Sequence, residues 1–204
     1  MTRPRTFELS SVVETSKELF WSRGYEGTSL SDVEASTGLN RSSLYQAFGT
    51  KEALFGAALD DYIRTFIGPL FAPMEAPTAR PHAIEGFFRT LAERFRGDRD
   101  VALKGCLWIN AIAEFSNRPD EPDARPTAYR LRLSNAFINA LSSGGQLRGT
   151  ARSLAQRRSN MLVATTIGLW LAARVDPLEA SGLCDSVIAE VRSWSRRALP
   201  AGLA

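Results

Sequence analysis

Arg41, Ser42, Tyr45 and Gln46 stand together in the stretch STGLNRSSLYQAFGTKEALF, from Ser36 to Phe55. Leu44 and Phe48 are four residues apart, so on a helix they share a face, and with Leu39 they claim the buried side. The four polar side chains then point outward. An arginine fork can bond guanine bidentately, glutamine can read adenine, and serine can bond a base or the backbone. The Tyr45 hydroxyl suits a phosphate or sugar. Lys51 falls in the first turn of the following helix, where a cation and free backbone N–H groups combine to hold a phosphate. Thr28 and Ser29 stand in the same relation to the helix before.

These groups need rigid supports, and the chain supplies helical ones. Apolar residues recur with a period near 3.6 almost throughout, and no strand-like alternation bounded by turns is present, so the fold class is all-α. The first helix is expected from about Phe7 to Arg23, with Val12, Val13, Ser16, Leu19 and Phe20 on one stripe and Gly24 as its stop. A short helix follows in TSLSDVEAST, with Thr28 or Ser29 as N-cap. Gly38 ends it, Asn40 caps the helix that carries Arg41 to Gln46, Gly49 stops that one, and Thr50 caps the next. Two short helices around a turn, the second presenting polar groups from its first turns, make a helix-turn-helix whose second helix enters a DNA major groove.

Beyond this head, the proline- and glycine-rich run from Ile67 to Pro81 is expected to be a loop. Helices are expected near His82 to Arg96, Val101 to Phe115, Thr127 to Ser143, Thr150 to Val175 and Leu178 to Leu199, with loops at Asn117 to Pro126 and Ser142 to Gly149. The plan is a small helical head, residues 1–56, and a larger helical body, residues 57–204, joined by one helix over residues 50 to 66.

Composition excludes more than it selects. The 204 residues are 44% hydrophobic and 23% charged, with no apolar run near the ~20 residues of a membrane span, and MTRPRTFELS lacks a signal-peptide core. A soluble, cytoplasmic protein is expected. Cys106 and Cys184 are far apart with no CxxC, and the single histidine, His82, leaves no histidine cluster, so neither a metal site, nor a disulfide framework, nor a cofactor is indicated. No phosphate-binding glycine loop or hydrolase motif occurs, and no catalytic constellation supports an enzyme. The formal net charge is +3, yet residues 1–56 hold six Lys or Arg against seven Asp or Glu. Affinity for DNA must therefore rest on placement, not bulk charge.

The contiguous stretch FWSRGYEGTSLSDVEASTGLNRSSLYQAFGTKEALF, Phe20 to Phe55, resembles the DNA-binding head of the TetR family of transcriptional regulators. The resemblance rests on the RGY-x-GTS lead-in, the turn at Thr37-Gly38-Leu39, the Ser43-Leu44-Tyr45 core and the Phe-x-x-Lys-Glu-Ala-Leu exit. It implies that Ser43 joins Thr28, Ser29, Arg41, Ser42, Tyr45, Gln46 and Lys51 at the DNA. Glu34 stands where the family commonly has alanine, and Ala47 where a tyrosine or histidine often adds a backbone contact.

By the same resemblance the body binds a small-molecule effector and joins two protomers through its last two helices. One apolar stripe runs Leu183, Val187, Val191, Trp194 and Ala198, and the small-residue series Met161, Thr165, Gly168 and Ala172 permits close helix approach, so these are the expected dimer residues. The Lys104 to Phe115 segment is apolar nearly all round, and its Asn110 and Glu114 need partners, one of which could be a ligand. Phe88, Phe95, Cys106, Trp108 and Asn110 are the expected effector pocket, with Cys106 as a thiol sensor only if exposed and acidified. The implied function is a ligand-responsive homodimeric repressor on a pseudo-palindromic double-stranded operator. The alternative is a DNA-binding protein governed by a protein partner, with a structural or cell-cycle role.

Overall fold

The computed structural model describes residues 5–115, 124–142, 145 and 147–197. Among them the regular structure is entirely helical: α1 (Arg5–Arg23), α2 (Leu30–Thr37), α3 (Arg41–Phe48), α4 (Lys51–Tyr62), α5 (Gly68–Glu75), α6 (Pro81–Gly97), α7 (Arg99–Lys104), α8 (Leu107–Phe115), α9 (Ala124–Ser142), α10 (Gly149–Ala173) and α11 (Pro177–Arg197). The head follows its local signals closely. Ser29, Asn40 and Thr50 each accept a backbone N–H three residues on, and Gly38 and Gly49 end α2 and α3.

Two compact units emerge, and neither is continuous in sequence. The first joins residues up to Gly68 with those from Cys106 through α8; the second joins Pro69–Gly105 with α9, α10 and α11. The boundary expected between residues 56 and 57 falls inside α4, whose Phe55, Gly56, Ala58 and Leu59 are all buried, so nothing local marks an end there. The segment read as central to the body, α8, instead belongs with the head.

Other differences have equally local causes. The expected loop from Ile67 to Pro81 contains α5, because Leu70, Phe71 and Met74 bury against the second unit's core. A π-turn at Ile63–Ile67 lies between α4 and α5. Pro69, which lacks an N–H to donate backwards, comes two residues after it and is tolerated at the second position of α5. The expected helix from Val101 to Phe115 is two helices, because Gly105 adopts φ 70° and ψ −151°, a conformation that ends α7. The expected loop at Asn117 to Pro126 lies outside the described residues except for its last three, which open α9. In the expected loop at Ser142 to Gly149, residues 143, 144 and 146 lie outside them, as does Ala198.

The first unit is held by aromatic packing. Phe20 meets Phe55 edge-on at 4.9 Å, Tyr25 lies 4.9 Å from Phe115 of α8, and Trp21 meets Tyr62 at 5.1 Å. Beside this cluster Lys17 of α1 donates to Asp61 of α4 at 2.8 Å, with the two side chains only 11% and 16% exposed. Partial burial pushes the Asp61 carboxyl up, but hydrogen bonds and charge from Lys17 and then Arg64 outweigh it and hold it below its ordinary range. A depressed carboxyl stabilises the fold above the unfolded value near pH ~4 and loses that contribution as pH falls through the folded value. Asp61→Ala should therefore cost about 2 kcal/mol at neutral pH, between the worth of exposed and buried pairs. Thermal melts should show the parent falling toward the variant as pH drops from 6 to 2. A constant gap between them across that range would remove Asp61 as the cause.

In the second unit α6 and α11 form the most extensive helix pair. Phe88 stacks on Phe137 at 6.1 Å and Phe95 meets Trp170 edge-on at 5.1 Å. Arg192 pairs with Glu85 at 2.8 Å, and Arg132 with Glu75 at 2.6 Å. Val191 and Trp194, expected at a dimer interface, are buried within the protomer, at 0% and 7% exposure. The Trp194 indole N–H donates to Glu190 at 2.6 Å, and the Arg158 guanidinium lies 4.6 Å from its ring centre. Helical periodicity identifies a face that must be covered; here the protomer covers that part of it.

Candidate nucleic-acid interface

The α3 helix carries its outward set on a short, well-capped rod. Asn40 Oδ1 accepts the Ser43 N–H at 2.9 Å, Leu44 is buried beneath, and Arg41, Ser42, Tyr45 and Gln46 are all exposed. Ser43 is half-buried, its backbone N–H committed to the cap, which leaves it a supporting place in the row. Arg41 reaches back to α2: its guanidinium donates to Ser31 Oγ at 3.4 Å and lies 3.7 Å from the Glu34 carboxylate. Glu34 thus both restrains the Arg41 side chain and offsets part of its charge. No sequence signal beyond its departure from alanine pointed to that pairing.

The expected phosphate positions separate into one that is well placed and two that are altered. Lys51 opens α4 with its ammonium 4.1 Å from the centre of the Tyr25 ring, which fixes a long, rotatable cation beside the recognition helix. Thr28 is a correction: it is fully buried, and its hydroxyl donates to the Gly24 carbonyl at 2.8 Å. Gly24 follows the last residue of α1, where carbonyls lack helical donors, and Thr28 turns inward to satisfy that one. Ser29 is exposed, but its hydroxyl and its N–H both donate to Asp32, at 2.5 and 2.8 Å. Those two bonds, the hydroxyl first, hold the Asp32 carboxyl below its ordinary range and keep a negative charge at the start of α2. This end of the site is therefore less suited to phosphate than the start of α4.

Behind the interface, the turn between α1 and α2 is clamped. A Cβ at Gly27 would lie 2.3 Å from the Arg23 carbonyl, so only glycine fits that corner. The Glu114 carboxylate of α8 accepts the Glu26 N–H at 3.0 Å, which gives this side chain a protein partner where a ligand was one expectation. Phe115, next along, packs on Tyr25 and Phe55, and Tyr25 in turn carries Lys51. The end of α8 is thereby part of the platform that sets the Lys51 side chain.

The residues expected to form an effector pocket divide between the two units. Phe88 and Phe95 belong to the second unit and Cys106, Trp108 and Asn110 to the first, and all but Asn110 are at most 1% exposed. Their burial also removes the thiol-sensor reading of Cys106, which needed exposure. Burial pushes the Cys184 thiol up to about 12, so it too is unreactive. Among the described residues no group of three His, Cys, Asp or Glu is placed to hold a metal, and no helix is long and apolar enough to cross a membrane.

Comparison with known proteins agrees with this geometry. Residues 12–58 match the bacterial regulatory proteins of the tetR family. The uncharacterized HTH-type transcriptional regulator YezE of Bacillus subtilis is 32% identical over 154 residues, covering 73% of this chain and 77% of YezE. The chain belongs to the TetR family. As a TetR family member it is a helix-turn-helix transcriptional regulator, with α2 and α3 forming the helix-turn-helix. The HTH-type transcriptional repressor ComR of Escherichia coli is 34% identical over 66% of this chain, and the match spans 61% of ComR's length. The fold of this TetR family chain is shared by CifR, a TetR family regulator solved as a cysteine mutant with 26-bp operator DNA: TM-score 0.72, 22% identity, 98% of this chain and 100% of that chain covered.

Proposed function

We propose that the protein is a homodimeric repressor that reads a pseudo-palindromic operator with Arg41, Ser42, Tyr45 and Gln46 and is released by a small-molecule effector. The observation that carries this reading is the exposed polar row of α3 held rigidly over buried Leu44, with Lys51 positioned beside it. ComR, the relative with the highest identity given above, is a repressor by name, which supports the sign of the response. Two half-sites are engaged when the two recognition helices lie about one DNA turn, ~34–36 Å, apart.

The dimer surface in this reading lies on α10 and α11, and it differs in membership from the expected one. Met161, Gly168 and Leu183 are exposed, and Thr165, Ala172 and Val187 are half-buried. Leu154, Leu171, Val175 and Leu178 are exposed large apolar residues as well. On α10 the positions 154, 161, 168 and 171 recur at seven, seven and three residues, one continuous face, with Val175 in the turn just after it. Such a face on a protomer calls for a partner, and an isologous one serves both copies.

Lys51 tests the DNA half of the reading. Lys51→Ala should weaken specific and random duplexes alike and lower the slope of log K against log salt by about one per protomer. Fluorescence anisotropy at a series of salt concentrations measures it; an unchanged slope removes Lys51 from the interface.

The protein-partner alternative draws support from the burial of Phe88, Phe95, Cys106 and Trp108, which fill space an internal effector would need.

A further inference from the structure

The second unit carries a groove of about 480 Å3 between α5 and α6, within the size range of small-molecule sites. Its floor is apolar, formed where the buried side chains of Leu70, Ala83 and Phe87 come to the surface. Gly86 is central to the α6 face of the groove, and a Cβ built there would meet no atom within 4 Å. Glycine inside a helix costs stability relative to alanine, so nothing in the protomer's packing calls for it here.

Two arginines make the rim cationic. His82, Arg89 and Arg94 line the groove and no Asp or Glu does. Arg89 is exposed and forms no ion pair among the described residues, whereas Arg96, Arg132 and Arg192 of the same unit are paired with Asp185, Glu75 and Glu85. Thr90 places a hydroxyl on the same wall. Residues 82, 89 and 90 each lie three or four positions from residue 86, so one face of α6 presents the space at Gly86 and the charge of Arg89 side by side.

We propose that this groove binds a small amphipathic carboxylate, its apolar tail over Leu70, Ala83 and Phe87 in the space left at Gly86 and its carboxylate on Arg89. A guanidinium fork matches a carboxylate bidentately, and the absence of acidic groups from the lining leaves the anion without a competitor. That this ligand is the effector rests on the function proposed above; that the groove binds it does not.

Calorimetry on the full chain tests the site with hexanoate, octanoate and 3-phenylpropanoate, each against its uncharged amide. At least one acid should bind, with its amide weaker by about tenfold or more. Gly86→Leu fills the groove and should abolish binding while the melting temperature holds or rises; Arg89→Gln should weaken the acid by about tenfold and leave the amide unchanged. The proposal is overturned if no acid binds, if acid and amide bind alike, if inorganic phosphate binds as tightly as the acids, or if Gly86→Leu binds like the parent. Operator affinity with and without the bound acid separates the two readings. Binding that leaves the operator untouched retains the groove and removes its effector role. Release that persists in Gly86→Leu retains an effector and removes this groove.

Discussion

Leu171→Glu is expected to leave the protomer folded and to dissociate the dimer. Leu171 is 50% exposed in the protomer, so a carboxylate there stays in water until a second copy approaches. In an isologous interface each substitution is met twice, and two buried like charges near the axis have no partner. Light scattering at micromolar concentration should give the mass of one chain, with an unchanged helical spectrum and melting temperature. Loss of the second head removes bivalent engagement, which is worth about 10²–10⁴ in operator affinity. Trp194→Glu would not be a clean probe, because Trp194 is buried beside Glu190 and Arg158 and the change would unfold its own surroundings. A Leu171→Glu protein that remains dimeric places the interface elsewhere than the 154–171 face of α10.

Arg41→Ala and Glu34→Ala are expected to move operator affinity in opposite directions. Arg41 is exposed, held by Ser31 and Glu34, and aimed outward from the first turn of α3. Its loss should cost about 1–3 kcal/mol at each half-site and relax preference at one position in each. Glu34→Ala removes a carboxylate 3.7 Å from that guanidinium and lowers the charge that DNA must overcome, so affinity for specific and random duplexes should both rise, with part of the discrimination lost as Arg41 becomes less restrained. Competition titrations against an unrelated duplex read affinity and discrimination together. Equal losses on specific and unrelated DNA for Arg41→Ala would make that residue a backbone contact.

The head was legible because its signals are local: Ser29, Asn40 and Thr50 each cap from within three residues, and Gly38 and Gly49 stop α2 and α3 on the spot. What depended on distant partners was not. The α5 helix is hidden by Gly68, Pro69 and Pro73, which read as loop until Leu70, Phe71 and Met74 are given a core to bury in. Trp194 and Val191 share a stripe with Leu183, but only the fold shows that the first two are covered within the protomer while Leu183 is 43% exposed. Thr28 can cap or can turn inward, and the free carbonyl of Gly24 decides it. Phe88, Phe95 and Trp108 are large and apolar enough for either a pocket or a core, and periodicity does not separate those two fates.

Selection of bound duplexes from a random pool with the purified protein tests the central claim most directly. The account predicts an enriched inverted repeat with half-sites centred about one helical turn or a multiple apart, and loss of one conserved base per half-site when the selection is repeated with Arg41→Ala. A pool that stays random, or a single unrepeated site unaffected by Arg41→Ala, would contradict it.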